Sequence, residues 1–178
     1  MFSSAFAGFL AIVAFHLSMI ATSAPLSLQE KEAVDRAIHL LDARGFESEV
    51  FLLRHTATFR GTDNWFNLLT PKENAFAATN FPFQIVTLYA DFFARASDDT
   101  ERAMILLHEA QHLKTRNEAS AYEYVWRHRH ELGWTQLTHG TTETYVTIEQ
   151  QTRQHVPELF ECPSKIWNDC TETLTAQR

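Results

Sequence analysis

The chain has 178 residues, 45% of them hydrophobic and 21% charged, so it can bury the core of one globular domain and is neither disordered nor fibrous. Its formal net charge is −7, and its Lys and Arg residues are scattered with no basic run. That excludes the phosphate-binding surface that a nucleic-acid partner requires.

Met1 to Ser23 contains no Lys, Arg, Asp or Glu and is dominated by Phe, Leu, Ile, Val and Ala. Its length is close to the roughly 20 residues that span a bilayer, and Ala21-Thr22-Ser23 puts small residues where a signal peptidase reads them. We read residues 1–23 as a signal peptide removed after Ser23, with a retained membrane anchor as the alternative, and residues 24–178 as the mature domain. The protein is then secreted or periplasmic, and touches a membrane only through this segment.

Ser27-Leu28-Gln29-Glu30 has the form of a capping box. Val34, Ala37, Ile38 and Leu41 follow at helical spacing, and Gly45 is a stop, which predicts a helix over Leu28 to Arg44. From Glu49 to Phe59 the run Val50-Phe51-Leu52-Leu53 leads into Thr56, Thr58 and Phe59; β-branched and aromatic residues predict a strand there. Gly61-Thr62-Asp63-Asn64 ends it, and a second strand is predicted over Phe83 to Tyr89. Asp98 and Glu101 form another capping pair, opening a helix that carries Ala103, Ile105, Leu106 and Leu107 into a histidine motif.

Beyond Asn117 a helix is predicted to about Glu131, stopped by Gly133, and another from Thr142 to His155 before Pro157. The tail reads as irregular. Its cysteines, Cys162 and Cys170, lie eight positions apart and are expected to form a local disulfide after export. No repeat or linker interrupts the chain, so one α+β domain is expected, a small sheet packed on the helix of the histidine motif with further helices around it.

That motif is His108-Glu109-Ala110-Gln111-His112. Residues four apart on a helix differ by about 40° and about 6 Å, so both imidazoles project from one face and can ligate one tetrahedral zinc. Glu109, directly after the first ligand, is placed to act as general base on a metal-activated water. A catalytic zinc takes three protein ligands. Glu118 is the chosen third, yet on a straight helix it would lie about 9 Å beyond His112 and turned about 120° away. A break is therefore required, and Asn117 can cap a new helix. Glu123, His128, His130, His139 and Glu143 are alternative ligands.

Asn74-Ala75-Phe76-Ala77, the strand over Gln84 to Tyr89 and the His108 motif together resemble the core of the CAAX prenyl endopeptidase and heat-shock membrane peptidase families of gluzincins. In those families an Asn-Ala-Phe-Ala segment precedes the strand and the zinc helix at a similar interval, here 34 residues from Asn74 to His108. Glu118-Ala119-Ser120-Ala121 is similar to their Glu-x-x-Ala pattern for the third ligand, and thermolysin-like enzymes carry a related Asn-Ala-aromatic segment on a substrate-binding strand. The resemblance covers Asn74 to Ala121 and implies a zincin-like fold, with Asn74 and Ala75 holding the main chain of a peptide or protein substrate. The chain departs from the membrane families in lacking internal transmembrane helices and in bringing the third ligand so close.

An oxyanion stabiliser near the metal is also needed. Tyr122, His139 and Tyr145 are equal candidates at this level. The function expected is hydrolysis of peptide bonds by a gluzincin-like zinc metallopeptidase with Glu109 as general base. The alternatives are an exported zinc-binding interaction protein with a non-catalytic zincin-like cleft, and a zinc amidase acting on cell-wall peptides.

Overall fold

In the computed structural model, which describes residues 2–69, 76–115, 117–162 and 169–171, the uncharged N-terminal segment forms one helix, α1 (Phe2–Ala21). Phe6, Phe9 and Ile12 project from it into solvent, while Met19 is buried in the domain. Its last turn is held by Arg60, which donates to the carbonyls of Ile20 and Ser23 and to the Ser23 hydroxyl. Among the described residues no helix is long and apolar enough to cross a membrane.

The capping box forms as read: Ser27 Oγ accepts from the Glu30 amide, Glu30 accepts from the Ser27 amide, and α2 (Leu28–Ala43) begins there. Val34, Ala37, Ile38 and Leu41 make its buried face, and Gly45 follows in the left-handed region at φ 85°.

The predicted strand over Glu49 to Phe59 is a correction. Glu47–His55 is a helix, α3, and only Thr58–Arg60 is strand, β1. Phe46, Val50 and Leu53 are buried while Phe51 is exposed, an i, i+4, i+7 pattern that fits a helix packed on a core. Glu47 and Glu49 in the first turn, and Arg54 and His55 in the last, add favourable charges at both ends of its dipole. The β-branched and aromatic content of the run misled because this packing outweighs local propensity.

Two further strands follow, β2 (Ala77–Asn80) and β3 (Ile85–Leu88). Their order is β1-β3-β2, with β1 parallel and β2 antiparallel to β3. All four residues of β3 are buried, as expected of a central strand covered on both faces. Strand β2 forms one edge.

A short helix, α4 (Ala90–Ala94), leads to α5 (Asp99–His112), which carries the histidine motif. Asp98 caps α5 by accepting from the amides of Thr100 and Glu101. The Glu101 carboxylate reaches back to the Ser97 amide, one residue before the expected partner. Helices α2, α3, α4 and α6 (Glu118–His128) and strand β2 all pack against α5. Helix α6 ends three residues before the predicted Glu131; α7 (Gln136–His139), not anticipated, and α8 (Glu143–His155) complete the helical layer. The fold is α+β, as expected.

The tail closes on itself through a Cys162–Cys170 disulfide. Beside it, Asp169 Oδ2 accepts from Arg129 Nη2 at 2.8 Å and from the Trp126 indole at 2.9 Å. Arg129 is fully buried, so the carboxylate beside the bridge neutralises a charge that water does not reach. Replacing Asp169 with Ala is expected to destabilise the domain by about 3 kcal/mol, the order found for breaking a buried ion pair. Urea unfolding of the full chain measures it; an unchanged midpoint would show that the tail is an appendage.

Candidate metal centre

Helix α5 stops at His112. Both Lys114 and Thr115 amides return to the Gln111 carbonyl, at 2.9 and 2.8 Å, which closes a tight turn. Asn117 then caps α6, its side-chain oxygen accepting from the Ser120 amide at 3.0 Å. The chain is thereby reversed, and Glu118 comes back over the motif instead of continuing away from it.

The three ligand candidates converge. His108 Nε2 and His112 Nε2 are 3.0 Å apart, and Glu118 Oε2 lies 3.4 Å from the first and 3.3 Å from the second. Atoms bonded at about 2.1 Å to one ion in tetrahedral array are about 3.4 Å from each other. The three separations are at or below that spacing, and the group can hold a metal ion. Nδ1 of His112 faces the Thr115 carbonyl at 3.3 Å; with the proton on that nitrogen, the Nε2 lone pair points at the shared centre. The imidazoles keep only 14% and 11% of their side-chain surface, whereas Glu118 keeps 51%, so the centre opens to solvent on the Glu118 side.

Glu109 is buried beside this group, its Oε2 accepting from the Thr79 hydroxyl at 2.7 Å. Strand β2 thus touches the motif through one residue that the sequence analysis did not single out; a lone threonine in a short strand carries no signal. Burial disfavours a charged His112, yet the bond to Glu118, the fields of Glu109 and Glu118 and the Thr115 carbonyl together raise its pKa. Bonds from His108 and His112 hold the Glu118 carboxyl far below the usual range.

Of the three oxyanion candidates, only Tyr122 is beside the centre, its ring 4.4 Å from that of His108. Its hydroxyl donates to Gln151 Oε1 at 2.9 Å, and burial with the charges of Glu118 and Glu109 raises its pKa. His139 is at the other end of α5, 3.1 Å from the capping Asp98, about 15 Å along the helix from His108. Tyr145 is core, buried against Trp126 and Trp134. The sequence could not separate these three because aromatic and imidazole rings serve equally in caps and cores.

The alternative ligands go elsewhere. Glu123 pairs with Arg127, Glu143 with Arg95, His128 faces the Tyr124 carbonyl, and His130 lies in the turn after α6. Asn74 and Ala75 lie outside the described residues. Tyr89, also not anticipated, donates to Asp63 at 2.8 Å, and burial, Asp63 and the field of Glu109 raise its pKa.

Comparison of the chain with family models, with characterised proteins and with solved structures finds no match, so the geometry of this centre carries the functional argument alone.

Proposed function

We propose that this chain is a zinc-dependent metallopeptidase, gluzincin-like in its ligands, that hydrolyses peptide bonds with Glu109 as general base. The observation that carries the reading is a buried carboxylate, fixed by Thr79, next to three convergent ligand atoms on His108, His112 and Glu118 but not one of them. A site serving only to brace the fold has no need of that extra acid.

Zinc bound by these three residues would lower the pKa of a water towards neutrality and polarise a carbonyl. Glu109 takes a proton from the water as its oxygen attacks the peptide carbonyl carbon, and gives that proton to the amine nitrogen when the C–N bond breaks. Thr79 holds one oxygen of Glu109 through this exchange. Tyr122, beside His108, is the remaining oxyanion candidate. The edge of β2, which carries Thr79, would offer backbone groups to an extended peptide, and Asn74 and Ala75 lie one residue before this strand in the chain.

Two substitutions test the reading. Glu109→Gln is expected to keep zinc and fold while slowing cleavage of a mixed peptide library by about 100- to 10,000-fold. His112→Ala is expected to lose stoichiometric zinc in elemental analysis. Equal cleavage by wild type and Glu109→Gln, or a full zinc complement in His112→Ala, would end the assignment.

The charges of the centre also set a pH response. Without metal, His112 sits above its ordinary 6.5 and Glu118 below its ordinary 4.5. Their attraction contributes fully between those values, fades at higher pH as His112 loses its proton, and fades at low pH as Glu118 gains one. Zinc requires the unprotonated imidazole, so its affinity should fall roughly tenfold per pH unit for each proton displaced, below the raised pKa of His112. Zinc titration between pH 5 and 8 checks this, and an affinity flat over that range would contradict it.

The same reading includes export with removal of residues 1–23, supported by the Cys162–Cys170 bridge, which persists in oxidising compartments. In the full chain Ser23 is buried and bonded to Arg60, while Ala24 on the other side of the junction is exposed. Intact mass of secreted material should begin at Ala24; a full-length mass would favour the anchor.

A further inference from the structure

We infer that Glu49, on α3, is a positioning residue for the metal centre, setting the angle between α5 and α6 and thereby the reach of Glu118. The inference rests on the metal reading of His108, His112 and Glu118.

Glu118 is half-exposed, so packing of its own side chain does not place it. Its position is inherited from the first turn of α6, and so from the reversal between His112 and Glu118. That reversal contains neither proline nor glycine to stiffen or shape it. Backbone bonds to Gln111 and the Asn117 cap close it from within, and a further tie from outside fixes where it sits.

Glu49 is placed to do so. Its side chain keeps 4% exposure, and its Oε1 accepts from Lys114 Nζ at 2.6 Å, the Tyr124 hydroxyl at 3.2 Å and Gln111 Nε2 at 3.3 Å. Gln111 belongs to the last turn of α5, Lys114 to the reversal and Tyr124 to α6. One carboxylate oxygen thus joins both arms of the turn and the turn itself. The other oxygen accepts from Ser48 Oγ at 2.9 Å, which fixes the carboxylate on α3.

The chemistry suits a permanent tie. Burial alone would push the Glu49 carboxyl up, but the bonds from Lys114 and Ser48 bring it below its ordinary value, so it stays charged. Burial and the Glu49 charge push the Tyr124 phenol up to about 12, so it stays a donor. Charge-assisted bonds of this kind are stronger than neutral ones. Glu49 acts on the centre through where it holds α6.

Zinc titration of the full chain against a competing chelator tests this, using a double-mutant cycle with Glu118. Glu49→Ala is expected to weaken zinc binding about 10- to 100-fold, the range for residues that orient ligands. With Glu118→Ala already present, the same change should alter affinity by less than about twofold, because the ligand that it positions is gone. An equal loss in both backgrounds, or none in either, would make Glu49 an ordinary buried acid and overturn the inference. Should Glu49→Ala fail to fold, Tyr124→Phe removes one hydroxyl and should show a smaller loss with the same dependence on Glu118. A wild-type chain that takes up no zinc would instead remove the metal reading itself.

Discussion

A helix that ended anywhere but His112 would scatter this site. Two imidazoles one turn apart are aligned by the helix alone, but a third ligand six residues later is aimed away unless the chain doubles back at once. The Gln111 carbonyl collects two amides to make the turn, Asn117 starts the next helix, and Glu118 meets both histidines. The packing of α6 on α5 follows from that reversal, and so does the opening of the centre on its Glu118 side.

Charge inside the domain is used to join segments distant in sequence. Glu49 links α3 to α5, the reversal and α6; Glu101 accepts from Ser97, Trp134 and Thr142, linking the start of α5 to the region around α7. Glu109 meets β2 through Thr79, and Asp169 ties the disulfide-bonded tail to the end of α6 through Arg129. A buried charge is costly unless its partners are supplied, so each of these contacts is demanding of geometry. The helix carrying the histidines is held at its start by Glu101 and in its last turn by Glu109 and Glu49, a framework suited to keeping three candidate ligand atoms within 3.4 Å of one another.

The sequence by itself determined what depends on neighbours along the chain. The 108/112 spacing, the capping box at Ser27, the cap at Asn117, the stop at Gly45 and the short Cys162–Cys170 loop are local patterns with local causes, and each forms as read. Tertiary structure alone decided the rest. Val50 to Leu53 has strand-forming residues but becomes helix because Val50 and Leu53 meet the core; Thr79 reaches Glu109 only because β2 lies at the sheet edge beside α5. His139 and Tyr145 were indistinguishable from Tyr122 until packing assigned one to a cap, one to the core and one to the centre. The physical reason is range: caps and i, i+4 pairs are settled within a turn of helix, whereas the partner of a buried ring or carboxylate is set by which distant segment the core brings against it.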